Sequence, residues 1–443
     1  MKHLICILFL PLLLGSRITS GQCPVNAYFF YAQAQIDNFG VQYPNCHTIS
    51  ANVRIETSQN SSDPILNLNG FSGVDSILGN VDVLKSSLSD LHGLDSLRYI
   101  GGTLKFVENP LLTGFAGLEN LRYIGGSLQI GPETPPQNMQ GFDGLERVVQ
   151  HLELSASNMH SLAGLENLRY VGQNLVLRDM PLYSLAGLQN LDTVQYQLVL
   201  TRLHRLKNLE GLENLHAAAP VILECDSLLN LTGLDYLESG ATIALAYNQQ
   251  LQSLQGLEHF RTFTYDIFPF GSLLLMDNPQ LQDVSALSAD LHINSGLLLS
   301  GNSSLSVCAV APICSYLAAP GDTTLIENNL PGCNTGEEIL EACSVGLEEV
   351  SGSAGFTVFP NPAFAGTALF VTLGNDFIGP VKVEILDPDG HLIRTFFLEK
   401  NERKITRVLP NFSYLDRANS SVWFIRMSDA QHAETKRILV LQP

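Results

Sequence analysis

Apolar residues recur along this chain with a period of about 23 residues. The clearest copy of the repeat is segment 117–130, which reads Gly-Leu-Glu-Asn-Leu-Arg-Tyr-Ile-Gly-Gly-Ser-Leu-Gln-Ile. Each copy begins with a Gly-Leu or Gly-Phe dipeptide, at Gly70, Gly93, Gly117, Gly144, Gly164, Gly187, Gly211, Gly233 and Gly256. A period of roughly 20 to 30 residues is typical of a solenoid, in which stacked units bury one continuous core.

Within each copy, the apolar spacing predicts one tight turn and one short strand. Leu118 is followed three positions on by Leu121, a spacing that suits a short helical or 3₁₀ turn. A glycine pair such as Gly125 and Gly126 comes next, which predicts a bend where the backbone can take positive φ. Two apolar residues follow, separated by one residue of any type. This spacing predicts a short strand in which both apolar side chains lie on one buried face. These inward pairs are Leu104 and Phe106, Leu128 and Ile130, Leu152 and Leu154, Leu175 and Leu177, Leu198 and Leu200, Val221 and Leu223, Ile243 and Leu245, Leu273 and Leu275, and Leu297 and Leu299.

Equivalent strands that occur once per coil must run parallel, about 4.8 Å apart, so about eleven coils would form a rod roughly 50 Å long. Three residues beyond the strand, several coils carry an asparagine, which we expect to bond backbone groups of the neighbouring coil. The asparagines are Asn109, Asn248, Asn278 and Asn302, and other coils carry Glu133, Ser157, Met180, Leu203 and Asp226 there.

The amino-terminal residues 1–21 predict a secretory signal peptide. A polar start at Lys2 precedes an apolar run, residues 4–14, that is too short to span a bilayer. Small residues at 19–21 suit cleavage before Gln22. No later segment is long and apolar enough to predict a transmembrane span.

The charge of the chain disfavours some partners. Removing residues 1–21 takes away Lys2 and Arg17 and no acidic residue, which leaves 22 basic and 43 acidic residues and a formal charge of −21. Such a surface repels nucleic acid and anionic membranes. The apolar content of 45% is sufficient for a large core.

Cysteines lie at both ends of the repeat region. Export permits disulfides, and a solenoid must close its two open ends. We expect a bridge between Cys23 and Cys46 and two bridges in the C-terminal cluster, whose pairing has three possibilities. Zinc is disfavoured because that cluster has no Cys-x-x-Cys pair and no histidine. The cluster contains Cys308, Cys314, Cys333 and Cys343, and Cys225 is predicted to be an unpaired thiol.

The repeat consensus Leu-x-Gly-Leu-x-x-Leu-x-x-Ile-Gly-Gly-x-Leu-x-Ile-x-x-Asn-x-x-Leu resembles the L domains of insulin and epidermal growth factor receptors. Segments 33–39 and 43–46 resemble the start of bacterial surface proteins with such repeats, and segment 308–343 resembles their end cap. The resemblance covers roughly residues 27 to 343. It implies a right-handed parallel β-helix, an all-β solenoid with short helical turns.

Composition changes after Cys343. Residues 344–355 are small and polar, which is typical of a linker. Alternating segments then predict strands at 369–373, 381–386, 393–398, 422–427 and 437–441, with a hairpin turn at 387–390. This pattern predicts a small antiparallel β-sandwich.

The last segment, 356–443, resembles the C-terminal sorting domain of the type IX (Por) secretion system. The matching features are Val-Phe-Pro-Asn-Pro-Ala at 358–363, Val383-x-Ile385-x-Asp387-x-x-Gly390, and Lys-Arg-Ile-Leu-Val at 436–440. The resemblance implies export across the outer membrane of a Gram-negative cell by the type IX machinery, followed by surface attachment or release. The predicted segments are a signal peptide (1–21), an N-terminal cap (22–64), leucine-rich β-solenoid repeats (65–306), a disulfide-bonded C-terminal cap (307–343), a linker (344–355) and a sorting domain (356–443).

Catalytic motifs are missing from the sequence, which has no Gly-x-Ser-x-Gly elbow, His-Glu-x-x-His or phosphate loop. Recurring carboxylates at Glu119, Glu146, Glu166 and Glu213 could do acid–base chemistry, but their spacing by whole repeats favours a solvated acidic ridge. We therefore predict no catalytic site, no metal site and no cofactor.

Two surfaces are candidates for binding. Arginine and tyrosine recur at one repeat position, which would place Arg98, Tyr99, Arg122, Tyr123, Arg169 and Tyr170 in a surface stripe. Alternatively, each tyrosine only covers the turn beneath it. The second surface is a long, aromatic insertion containing Phe263, Tyr265, Phe268 and Phe270, which would either bind a ligand or fold back to fill a widened coil.

These features favour a secreted, cell-surface-displayed adhesion protein that binds a protein or glycan ligand. Two alternatives stay open, because a fold alone does not determine function. One is a secreted polysaccharide-active enzyme on a β-helix, and the other is a structural spacer in a surface layer.

Overall fold

The computed structural model is mostly β structure, with a parallel β-solenoid of about 12 turns and smaller sheets after it. It describes Cys23, residues 26–57, 61–265 and 269–345, and the strands between 356 and 441 with residues 391 and 429. The predicted signal peptide, Phe268, the turn at 387–390 and residues 346–355 of the linker lie outside the described residues. None of the helices in the described part has the length and hydropathy needed to cross a membrane.

Each coil contributes one strand to a long-strand face and, in most coils, a second strand to a short-strand face. The long-strand face consists of Tyr28–Phe30, Val53–Glu56, Val81–Leu84, Leu104–Val107, Leu128–Ile130, Leu152–Leu154, Leu175–Arg178, Thr193–Thr201, Ala217–Leu223, Thr242–Ala246, Ser272–Met276, Gly296–Ser300 and Thr323–Glu327. The short-strand face consists of Thr48–Ile49, Ser76–Ile77, Tyr99–Ile100, Tyr123–Ile124, Arg147–Val148, Tyr170–Val171, Ser239–Gly240 and Thr262–Phe263, together with the first residues of Thr193–Thr201 and Ala217–Leu223. All these strands pair in parallel with the strands of neighbouring coils, as predicted. The stack begins and ends outside the predicted repeat region 65–306.

Leucines fill the space between the two faces. Leu128 pairs with Leu152, and Ile130 with Leu154, so equivalent inward residues stack directly on one another. The predicted tight turn is present, because the N–H of Leu121 donates to the carbonyl of Leu118 at 2.9 Å. Leucines of this turn, such as Leu118 and Leu121, have no exposed surface. The core therefore runs along the solenoid as columns of identical positions.

The inward pair predicted at Val221 and Leu223 is wrong by one residue. Leu200 pairs with Ile222, and Pro220 and Ile222 are buried whereas Val221 and Leu223 are half-buried. Because this strand is apolar on both faces, its sequence alternation does not distinguish inward from outward positions. Pairing with the preceding coil decides the register.

The glycine pairs do not adopt positive φ. Positive φ occurs instead at the first glycine of the repeats from Gly93 to Gly256, as at Gly117 with φ of 108°. Gly125 is required for space, since a Cβ there would lie 2.3 Å from the carbonyl oxygen of Gly101 in the preceding coil. One repeat also begins at Gly141 and not at Gly144, because Gly141 has the positive φ of 106°.

Asparagine side chains link successive coils, as predicted. The Nδ2 of Asn278 donates to the carbonyl of Leu245 at 2.9 Å and to Oδ1 of Asn302 at 3.2 Å. Its Oδ1 accepts from the backbone N–H of Asn248 at 3.1 Å and from the Nδ2 of Asn248 at 3.0 Å. We call this row the asparagine ladder, and it continues to Asn329.

The ladder position was misplaced by one residue in three coils. Thr134, Ala156 and Cys225 are buried there, in place of the predicted Glu133, Ser157 and Asp226. In many coils the ladder residue follows a residue with positive φ, as Thr134 follows Glu133 with φ of 58°. Turns of different length shift the position at Thr134 and Ala156, whereas at Cys225 the shift follows from the inward register at Ile222.

Disulfides and helices close both ends of the solenoid. At the start, helix Gln33–Gln42 buries Ile36 and Phe39 against the first coils. At the end, helices Ala311–Ala318 and Gly336–Val345 flank the last coil, and the second helix includes the first two residues of the predicted linker. The expected bridge between Cys23 and Cys46 is present, and the open pairing of the C-terminal cluster is resolved as Cys308–Cys333 and Cys314–Cys343.

The C-terminal segment forms two small sheets. One is three-stranded and antiparallel, from Phe356–Phe359, Phe370–Leu373 and Ile405–Val408. The other contains Ala363–Phe364, Gly379–Leu386, Leu392–Lys400, Ser421–Ser428 and Ala433–Leu441, with one parallel pairing among antiparallel ones. The predicted strands are confirmed.

We expect Asn278→Ala to lower the free energy of unfolding by about 2–4 kcal/mol, because it leaves buried backbone and side-chain groups without partners. Chemical denaturation of the purified protein measures the change. Asn208→Ala is the matched control, because Asn208 bonds only the nearby N–H of Glu210 on the surface. Equal losses in the two variants would contradict a special role for the ladder.

We expect the Cys225 thiol to resist labelling in the folded protein and to react after denaturation, because it is fully buried. Burial raises its pKa to about 12 from an ordinary value near 9. The unfolded chain therefore loses this proton at lower pH than the folded chain, so stability should fall as the pH rises above 9. Cys225→Ala should remove that part of the pH dependence, and rapid labelling of the native protein would contradict the burial.

Candidate binding surface

The tyrosine stripe is present on the short-strand face. Tyr99 and Tyr123 are paired in register, and their rings are parallel within 6° with centroids 5.0 Å apart. Arg147 occupies the next position, and its guanidinium carbon lies 3.8 Å from the ring centroid of Tyr170. The sequence prediction did not include Arg147, because its coil has arginine at the position that Tyr99, Tyr123 and Tyr170 occupy in theirs.

Stacking limits what the stripe can bind. The facing sides of Tyr99 and Tyr123 are covered by each other, and one face of Tyr170 is covered by Arg147. Between neighbouring coils, a partner could therefore contact only the ring edges and the hydroxyl groups of these tyrosines. Such a surface suits hydrogen bonding to a partner better than insertion of a sugar ring between the tyrosines.

The arginines that precede the tyrosines lie in a row of mixed charge. The backbone N–H of each residue in this row donates to the backbone carbonyl of the equivalent residue one coil earlier. The row therefore runs through successive coils in the order Arg98, Arg122, Glu146 and Arg169. The Nη1 of Arg122 lies 3.5 Å from Oε1 of Glu146. Since both side chains are largely exposed, the pair adds little stability, and it neutralises part of the predicted cationic surface.

The aromatic insertion divides into buried and exposed residues. Phe263 is only 4% exposed and packs on Phe260 with ring centroids 5.1 Å apart. The assignment of Phe263 to a binding surface is therefore wrong, because its side chain fills the core. Tyr265 and Phe270 are exposed, with ring centroids 5.6 Å apart.

Three of the four recurring carboxylates accept backbone hydrogen bonds and so have a structural role, in addition to lying at the surface. Glu166 accepts the N–H of Gly164 at 2.8 Å, and Glu213 accepts that of Gly211 at 2.7 Å. Glu119 makes the same bond to Gly117. These carboxylates satisfy the amide of the positive-φ glycine that begins each repeat. Glu146 lies elsewhere, in the charged row described above.

A further row on the long-strand face escaped the sequence prediction. Its residues lie between the two inward residues of each strand and point outward. The first coil has the exposed Phe29 there. The next five coils have polar residues, namely Arg54, Asp82, Lys105, Gln129 and Glu153. In the later coils they are apolar and largely half-buried, and we call them the apolar row: Val176, Val199, Val221, Ala244, Leu274, Leu298 and Leu325.

The apolar row is long enough to form a contact surface. Seven coils at about 4.8 Å give a length of about 29 Å. Leu223, Ala246 and Met276 widen it in the neighbouring outward row. The signal was in the sequence, since Leu273-Leu274-Leu275 is apolar throughout and does not alternate. A contiguous, partly exposed apolar row of this kind is a candidate contact surface.

Metal-ligating residues do not converge in the described part of the chain, where no group of three or more histidine, cysteine, aspartate or glutamate side chains could hold an ion. No protein-family model matches the chain. A search of curated proteins likewise finds no match.

Proposed function

We propose that this chain is an exported binding protein that is displayed at the cell surface and contacts its ligand through the long-strand face. The observation that carries the proposal is the apolar row from Val176 to Leu325. A rigid solenoid has no need of outward aliphatic side chains in seven consecutive coils for its own core, which the inward leucines already fill. Contact with a partner would remove this surface from water.

The size of the apolar row supports a partner that adds polar contacts. A row one side chain wide and about 29 Å long covers less area than the roughly 800 Å² per partner of a standard interface. Residues at the margin would supply the rest, as the polar rim of an interface does. Glu224 and Asp277 follow the strands of the row at its edge.

Features at the two ends of the chain support export. Residues 1–21 have the pattern of a secretory signal, and residues 356–443 resemble a type IX sorting domain. The three disulfides suit an oxidising compartment outside the cytoplasm. The type IX machinery would read the C-terminal domain as an address and not as a membrane anchor.

The apolar row also separates this proposal from the alternatives. A structural spacer would not require a patterned apolar surface. A polysaccharide-active enzyme would require acidic or basic groups that converge across neighbouring coils, whereas this row presents aliphatic side chains. A binding role therefore accounts best for the row.

We expect Val199→Lys combined with Leu274→Lys to abolish capture of the protein ligand, because the lysines would be buried unpaired at the interface. Immobilised full-length protein would be offered cell-surface extracts, and captured proteins would be compared between variants. Gln255→Lys, on an exposed turn outside the row, is the matched control. Identical capture by the double variant and the original chain would contradict binding through this row.

We expect deletion of residues 356–443 to leave a folded solenoid, because the disulfide-bonded end cap stays intact. The truncated protein should accumulate in the periplasm, because it lacks the segment proposed to direct export across the outer membrane. Cell fractionation with protease shaving measures the location. Full-length levels of the truncated protein outside the cell would contradict the sorting role of this segment.

A further inference from the structure

A recess of about 530 Å³ opens on the polar part of the long-strand face, next to the start of the apolar row. Its walls come from four consecutive coils. Lys105, Gln129, Glu153 and Val176 supply one outward row, and the second row consists of Val107, Gly131, Ser155 and Arg178.

Small residues create the recess. Strands Leu128–Ile130 and Leu152–Leu154 have only three residues, and Gly131 and Ser155 follow them where the flanking coils carry Val107 and Arg178. A Cβ at Gly131 would lie 2.9 Å from Cγ2 of Val107, so this position accepts no larger side chain without displacement of Val107. Ile130, Leu154 and Pro132 add apolar surface to the lining of the recess.

Two cations lie at opposite corners of the recess. Lys105 and Arg178 are three coils apart and in neighbouring rows, which places their Cα atoms about 16 Å from each other. Among the residues that the structure describes, neither side chain forms an ion pair, although Arg54, Arg122, Arg202 and Arg261 each have a carboxylate partner. These two cations give the recess local positive charge in a chain whose formal charge is −19.

Between the cations lie two hydrogen-bond acceptors. The Nε2 of Gln129 donates to Oε2 of Glu153 at 3.1 Å, which holds the two side chains together. The Oε1 of Gln129 and the other carboxylate oxygen of Glu153 stay available on adjacent coils. Parallel pairing keeps these coils about 4.8 Å apart.

We propose that this recess binds an acidic oligosaccharide of the uronic acid type, with carboxylates at Lys105 and Arg178 and ring hydroxyls donating to Gln129 and Glu153. This recess is a second binding site on the long-strand face, separate from the apolar row of the function proposed above. Vicinal hydroxyls can donate to two acceptors on adjacent coils. An acidic peptide matches less well, because N–H groups on one side of an extended strand are about 6.8 Å apart.

The test uses full-length protein and an oligogalacturonate probe, with binding measured by isothermal titration calorimetry. We expect Lys105→Ala and Arg178→Ala each to weaken binding about tenfold, because each removes a charge-assisted contact. The matched controls Lys207→Ala and Arg205→Ala remove exposed cations outside the recess and should leave the affinity unchanged. Raising the salt concentration should also weaken binding.

Two further probes separate the ligand classes. A carboxyl-reduced oligomer with the same sugar backbone should bind weakly, and so should an oligoglutamate of similar length. Equal binding of either probe would overturn the proposal, as would an oligogalacturonate affinity that Lys105→Ala and Arg178→Ala leave unchanged. The Val199→Lys and Leu274→Lys variant should retain oligogalacturonate binding, so failure at the apolar row and failure at the recess are distinguishable.

Discussion

The structure depends on one constraint, which is that every coil must approach the next closely enough for parallel backbone hydrogen bonds. That distance is about 4.8 Å, and it leaves little room between coils. Gly125 has no side chain because the carbonyl of Gly101 already occupies that space. Asn278 uses the same proximity to bond the backbone of one neighbour and the side chain of the other.

Where the asparagine ladder is interrupted, apolar packing takes its place. Met180, Leu203 and Cys225 are buried at the ladder position of the middle coils, while Asn248 resumes the bonds immediately afterwards. The stack therefore tolerates either chemistry at this position, provided that no buried polar group lacks a partner. The open ends have no neighbouring coil, and helices and disulfides cover them instead.

The same constraint turns each outward position into a row along the solenoid. A tyrosine repeated in successive coils becomes a stack of rings, as for Tyr99 and Tyr123, and a valine or leucine becomes an aliphatic surface. Function on such a scaffold depends on which rows are polar, aromatic or apolar. The change from polar to apolar residues at Val176 divides the long-strand face into a polar region and an apolar region.

The sequence by itself determined the solenoid, its parallel strands, the inward leucines and the bridge between Cys23 and Cys46. These follow from local periodicity and from the need to close the ends. Only the tertiary structure decided the inward register at Ile222, the positive φ of Gly117 in place of Gly125, and the pairing of Cys308 with Cys333. Each depends on contact with a neighbouring coil or cap, which a local pattern does not specify. The apolar row became visible for the same reason, because outward residues more than 20 positions apart in the chain are adjacent only after the coils stack.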